Sequence, residues 1–143
     1  MLVTPKELII PRPQYQAILH QLHTVYPQEG CGFLAGHCSP DGVGKVKHCY
    51  PVENVLHSEV AFAMHPALLV ETILAIEAEC LDLLAIYHSH PRSAAAPSAT
   101  DIAQVYDPDV AQLIVSLEDV LRPRGRAFLI QDGQYREIPC TIL

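Results

Sequence analysis

His88-Ser89-His90-Pro91, followed by Ser98-Ala99-Thr100-Asp101, sets two imidazoles and a carboxylate at a spacing that suits one divalent metal ion. Side chains alternate along an extended chain, so two histidines separated by one residue point to the same side and can reach one ion. Pro97 and Ser98 carry the marks of a helix start, with Ser98 at the N-cap and Asp101 in the first turn, which brings hydroxyl and carboxylate close together. Imidazole nitrogens and carboxylate oxygens are ligands that zinc accepts. Three protein ligands leave its fourth position open for water, the arrangement of hydrolytic rather than structural sites. Neither half of the pattern is informative alone: the chain has eight histidines, and Ser-x-x-Asp is also an ordinary helix start. The fixed offset between the halves is what points to a metal centre.

The elements that must position these residues read as an α/β alternation without internal repeats or low-complexity tracts. Pro13 opens a helix to about Val25, with Tyr15, Ile18, Leu22 and Val25 on one face, and Tyr26-Pro27 ends it. Cys31 to Ala35 is expected to be a strand leaving Glu29, and Lys45 to Tyr50 its neighbour beyond the Asp41-Gly42 turn. Pro66 starts a second helix whose stripe of Leu69, Ile73 and Ile76 faces the sheet. Leu81 to Tyr87 is a buried strand that delivers His88 and His90 at its C-terminal end, with Pro91 fixing the chain beyond and Tyr87 placed to line the cleft. After the helix that begins at Ser98, Val110 to Leu117 and Arg126 to Ile130 read as strands, and Asp132-Gly133 as a hairpin turn into Gln134 to Ile138.

Half of the 143 residues are apolar and 17% are charged, which suits one folded domain over 1–143 and excludes the disordered class. A formal charge of −7 disfavours nucleic acid as a partner, and Arg122, Arg124 and Arg126 read as a solvated turn. The segment Met1 to Lys6 lacks the build of a signal peptide and no apolar run reaches membrane-spanning length, so a cytoplasmic protein with no membrane partner is expected. Five cysteines, an odd number, suggest reduced thiols. Cys31, His37 and Cys38 raise the question of a second, thiolate-rich metal site, which the absence of a Cys-x-x-Cys pair disfavours. Alternation would put Cys31 on the same face as Glu29, where a nucleophilic thiol would need a histidine base. His20, His23, His48, His57 and His65 read as surface or capping groups. Glu29 on its own reads as a solvated charge between helix and strand.

His88-Ser89-His90-Pro91 with Ser98 and Asp101, preceded by Glu29 in Pro27-Gln28-Glu29-Gly30-Cys31-Gly32-Phe33-Leu34, resembles the JAMM (MPN-plus) metallopeptidases over nearly the whole chain. The short, single-domain bacterial and archaeal members are the most similar. The resemblance extends to Pro51-Val52-Glu53-Asn54, where no role is assigned to Asn54. It implies a curved mixed β-sheet flanked by two main helices, related to the cytidine-deaminase architecture, and one Zn2+ per chain held by His88, His90 and Asp101. It implies that Glu29 is the catalytic base that takes a proton from water and passes it to the leaving amine. Ser98 would donate a hydrogen bond to the developing oxyanion. The implied activity is peptidase or isopeptidase cleavage after the C-terminal Gly-Gly of a ubiquitin-like β-grasp sulfur-carrier protein, releasing cysteine or another amine. Alternatives are removal of ubiquitin-like modifiers from lysine, an inactive scaffold of the same fold, and a nucleic-acid-repair protein, the last disfavoured by the acidic charge.

Overall fold

Apolar runs punctuated by turn residues assemble one mixed sheet in the computed structural model of the chain, which describes residues 3–143; the part of the N-terminal reading that falls on Met1 and Leu2 lies outside the described residues. The elements follow in the order β1 (Glu7–Ile10), α1 (Arg12–Val25), β2 (Cys31–Cys38), β3 (Val43–Val52), α2 (Pro66–Ala78), β4 (Asp82–His90), α3 (Ala99–Ala103), β5 (Ala111–Ser116), β6 (Arg124–Gln131), β7 (Gln134–Ile138) and β8 (Cys140–Ile142). Their order across the sheet is β7-β6-β5-β4-β2-β3-β1-β8. β4 and β5 run parallel, as do β1 with β3 and with β8, and the remaining pairs are antiparallel. The expected α/β class with two main helices is therefore observed, α3 being a single short turn.

Each helix takes one face of the sheet. On one side Ile18 and Leu22 of α1 pack with Leu8, Ile10, Leu34, Leu84 and Leu113. On the other, Ile76 of α2 packs with Phe33, Val52, Ile86 and Val110, with Leu69 partly covered. Two turns expected from sequence have the backbone that glycine permits: Gly42 at φ 92°, and Asp132-Gly133 at φ 53° and 75°, the signature of a tight hairpin. Gly30 is required for a different reason. A Cβ there would meet Leu22 Cδ2 at 2.6 Å and Val25 Cγ2 at 2.9 Å, so only a bare backbone lets α1 lie against the start of β2.

The expected elements occur with small differences at their ends. α1 starts at Arg12, with Pro13 inside its first turn. β2 and β3 are longer than expected because Gly36, His37 and Cys38 pair with Val46, Lys45 and Gly44, and Val52 and Pro51 pair with Cys31 and Gly32. β1 and β8 were not anticipated. They are three or four residues long and gain their partners from the far ends of the sequence, which no local periodicity announces. Among the described residues no helix is long and apolar enough to cross a membrane.

Candidate metal centre

β4 runs through the middle of the sheet between β2 and β5, and its last residues are buried although they are polar: His88 is 1% exposed and His90 4%. Alternation puts Ile86, His88 and His90 on the α2 side, and Tyr87 and Ser89 on the α1 side. The expectation that Tyr87 lines the cleft is therefore corrected. Tyr87 is fully buried under α1, where its hydroxyl donates to Gln21 Oε1 and accepts from Cys49 Sγ at 3.4 Å.

The loop after His90 returns Asp101 to the two rings. Ser98 caps α3 in a capping box, its Oγ accepting from the Asp101 N–H at 3.0 Å while its own N–H donates to Asp101 Oδ2 at 2.9 Å. The carboxylate is thereby aimed at both rings, Oδ1 lying 3.2 Å from His88 Nε2 and Oδ2 lying 3.0 Å from His90 Nε2. The two Nε2 atoms are 3.2 Å apart. His90 Nδ1 donates to the Ala94 carbonyl at 2.9 Å, so in the neutral ring Nε2 presents a lone pair. That lone pair faces an acceptor oxygen, an arrangement that is repulsive unless a proton or cation lies between them.

The three side chains, His88, His90 and Asp101, fit zinc. Ligands at about 2.0–2.1 Å around a tetrahedral ion stand about 3.3 Å from one another, close to the separations found here. Asp101 keeps its charge: burial opposes ionisation, but hydrogen bonds to His88 and His90 hold the carboxyl well below its ordinary range. Burial pulls His88 below its ordinary value and so favours the neutral ring that ligates metal. His90 is pulled down by burial too, but its bonds to Asp101 and Ala94 outweigh this and leave it raised. Phe62 stacks on the His88 ring at 4.6 Å and 29°, closing one side to water.

Glu29 is 3% exposed and not the solvated charge its bare sequence context suggests. Burial pushes its carboxyl up to about 8, with His90 lowering it and Asp101 raising it further. Its Oε1 has no hydrogen-bond partner. A buried carboxyl beside three ligand atoms, with one oxygen uncommitted and a proton affinity near neutrality, is suited to moving protons. A cleft of about 230 Å³ with walls that include Phe62, Met64, Leu69 and Ile86 reaches His88 and Asp101, and a second of about 290 Å³, with Gln28, Glu53 and His57 at its edge, reaches Glu29.

Other expected features divide plainly. Cys31 and Cys38 sit at opposite ends of β2, so no thiolate site joins them. Cys31 is a buried thiol donating to the Val52 carbonyl at 3.4 Å, pushed up to about 12 by burial and then by Glu29, which argues against a nucleophile. His20, His23, His48, His57 and His65 are exposed, and His65 Nδ1 caps α2 by accepting from Ala67 N–H. The arginine cluster is a turn only at Arg122: Arg124 and Arg126 belong to β6, where Arg126 pairs with Glu137 at 2.6 Å on the surface. Sequence reasoning named Asn54 without a role and missed the roles of Ser89 and Phe62. A small polar residue between two inward histidines was the one available signal for Ser89; nothing local marked the roles of the other two.

A mixed sheet with a histidine pair at the end of a central strand and an acidic residue at the following helix start defines a class of metal-centred α/β domain. Residues 11–130 match the family described as prokaryotic homologs of the JAB domain, and the chain belongs to that family. It is 35% identical over 137 residues to a probable TtuB-protein conjugate cleaving protease of Thermus thermophilus, covering 95% of this chain and 83% of that protein. It is 29% identical over 136 residues to the CysO-cysteine peptidase of Mycobacterium tuberculosis, covering 95% and 91%. A solution structure of a protein from Desulfitobacterium hafniense superposes with a TM-score of 0.87 at 28% identity, covering 95% of this chain and 92% of that one.

Proposed function

We propose that this chain is a zinc-dependent peptidase or isopeptidase that cleaves after the C-terminal Gly-Gly of a ubiquitin-like sulfur-carrier protein and releases cysteine or another amine. The observation that carries the chemistry is the convergence of His88, His90 and Asp101 beside the buried, uncommitted oxygen of Glu29. The names of the mycobacterial and Thermus relatives supply the substrate class.

His88 Nε2, His90 Nε2 and Asp101 are the residues that would hold the ion. Bound there, zinc would supply Lewis-acid activation of water and of the scissile carbonyl near neutral pH. Glu29 Oε1 would accept the water proton and return it to the departing amine, as a carboxyl of raised proton affinity can do. Ser98 Oγ already accepts from the Asp101 N–H, which leaves its own hydrogen free to donate to a developing oxyanion. Capping and catalysis are thus compatible in one hydroxyl. A glycine tail lacks the side chains that would keep its backbone from lying beside the metal ligands, which favours strand-like binding of an extended C-terminus.

The test uses a β-grasp carrier ending in Gly-Gly and extended by cysteine, with a second carrier whose last glycine is valine. Mass spectrometry after incubation with the zinc-loaded protein should show cleavage after the second glycine and strong slowing for valine. Equal processing of both tails, or binding of the carrier without cleavage, would reject the reading. A lysine-linked carrier in the same assay separates the deconjugating activity named for the Thermus relative.

A further inference from the structure

Asn54 is 7% exposed and uses every hydrogen-bonding position of its amide. Nδ2 donates to the carbonyl oxygens of Glu29 at 2.9 Å and Ala61 at 3.0 Å, while Oδ1 accepts from the N–H groups of Leu56 at 3.1 Å and Ala63 at 3.2 Å. Two donors and one oxygen with two lone pairs are all that an asparagine amide offers. The segment it organises, between β3 and α2, is irregular. One side chain closes that loop on itself and fastens it to Glu29.

The same loop also holds the peptide on the other side of the Glu29 Cα, since the Glu29 N–H donates to the Ser58 carbonyl at 2.8 Å. Gly30 is tied to the metal strand: its N–H donates to Ser89 Oγ at 2.9 Å, and the Ser89 N–H donates to its carbonyl at 3.0 Å, between His88 and His90. The loop also carries Phe62, whose ring covers His88. Asn54 is thus where the backbone of Glu29 and the cover of the first histidine are joined.

We infer that Asn54 is a positioning residue, which sets where the Glu29 carboxylate stands relative to His88, His90 and Asp101 and couples that placement to the Phe62 loop. The inference rests on the acid–base role given to Glu29 in the proposed function. Displacement of a reacting group by about 1 Å can cost on the order of a hundredfold in rate, so one amide holding the Glu29 backbone has a large lever. Asn54→Asp keeps the size and the acceptor that serves Leu56 and Ala63. It removes at least one of the two donors and sets an oxygen against the carbonyl of Glu29 or Ala61.

The experiment compares full-length wild type, Asn54→Asp, Asn54→Ala, Glu29→Gln and the Asn54→Asp, Glu29→Gln double variant. Asn54→Asp should retain metal and the slow amide exchange of Leu56 and Ala63, while kcat on the cysteine-extended carrier falls by about tenfold or more and KM changes by less than about twofold. In the Glu29→Gln background the same substitution should change the remaining rate by less than about twofold, because its effect passes through Glu29. The visible spectrum of the cobalt(II)-loaded Asn54→Asp protein should depart from wild type in the same direction as that of Glu29→Gln. Asn54→Ala should in addition lose protection at Leu56 and Ala63 and raise KM. Multiplying losses in the double variant, or a wild-type cobalt spectrum in Asn54→Asp, would overturn the inference. A wild type that cleaves no carrier counts against the peptidase reading alone, since the cobalt spectra still decide whether Asn54 places Glu29.

Discussion

The two faces of the sheet are built to different ends. Under α1 the contacts are aliphatic and closed: Leu8, Ile10, Ile18, Leu22, Leu84 and Leu113 are all fully buried. Under α2 the helix leaves Leu68, Val70 and Leu74 exposed and buries Ile76, and the sheet beneath it ends in His88 and His90, with Glu29 and Asn54 buried alongside. Buried polar groups cost free energy unless they are partnered, and on this face Glu29 Oε1 and His88 Nδ1 are not, while α1 has one such atom, Gln14 Oε1. The comparison teaches that the apolar α1 face supplies the stability against which the α2 face can hold groups poised for chemistry. β4 belongs to both, turning Tyr87 to one and His88 to the other.

The comparison breaks most completely at the ligands. A His88→Ala, His90→Ala variant should bind no zinc and show no carrier cleavage, yet stay folded, since the α1 core is untouched. Elemental analysis with circular dichroism checks this, and full zinc occupancy in the variant would remove the proposed centre. Next in size is Glu29→Gln, which should keep about one equivalent of zinc and lose turnover by about a hundredfold or more, the scale of general-base contributions. A near wild-type rate would return Glu29 to a structural role.

On the opposite face Leu22→Ala should do the reverse. Truncating a fully buried leucine typically costs about 2–5 kcal/mol, here read as a lower denaturation midpoint, with zinc stoichiometry unchanged and kcat at 25 °C within about twofold. Ile18→Val, worth about 0.5–1.5 kcal/mol, gives the same test if the larger cavity leaves too little folded protein. Zinc loss in step with stability in both variants would show that the two faces are not separable.

How much of this was legible in the sequence follows the same division. The cluster of His88, His90 and Asp101 was, because a shared metal would constrain residue type and spacing together: His88 and His90 share a face by alternation, and Asp101 is brought to them by the Ser98 cap. α1, α2 and the central strands were legible from periodicity. β1 and β8 were not, since Leu8 finds its partners at Gly44 and Cys140, and pairing over such separations leaves no local mark. Tyr87 adjoins His88 in the chain, but alternation along β4 turns it to the opposite face, into the core under α1. The role of Asn54 was not legible for a related reason: its four bonds run to residues 2, 7, 9 and 25 positions away, and a buried hub differs from a turn asparagine only once the loop has closed.

A pH-dependent effect, smaller than the loss of metal or turnover, sharpens the comparison by measuring what the α2 face costs. Glu29 has an ordinary carboxyl value of 4.5 raised to about 8 in the fold by burial. Below pH 4.5 the group is protonated in folded and unfolded chains alike, and its contribution to stability is fully present. Between 4.5 and about 8 the unfolded chain releases the proton while the folded chain keeps it, so the metal-free protein loses stability as pH rises, by at most about 1.4 kcal/mol per pH unit. Above 8 both states are ionised and the loss levels off. Glu29→Gln removes this titration while His88, His90 and Asp101 remain common to both proteins. The melting temperature of the metal-free variant minus that of metal-free wild type should therefore increase by several degrees from pH 5 to pH 7.5. Zinc should shrink that increase, because a nearby cation favours the carboxylate. Calorimetry at matched ionic strength, with and without zinc, reads both differences. A metal-free difference that stays flat with pH would mean that Glu29 holds no proton in the fold, and the α2 face would then carry no such cost.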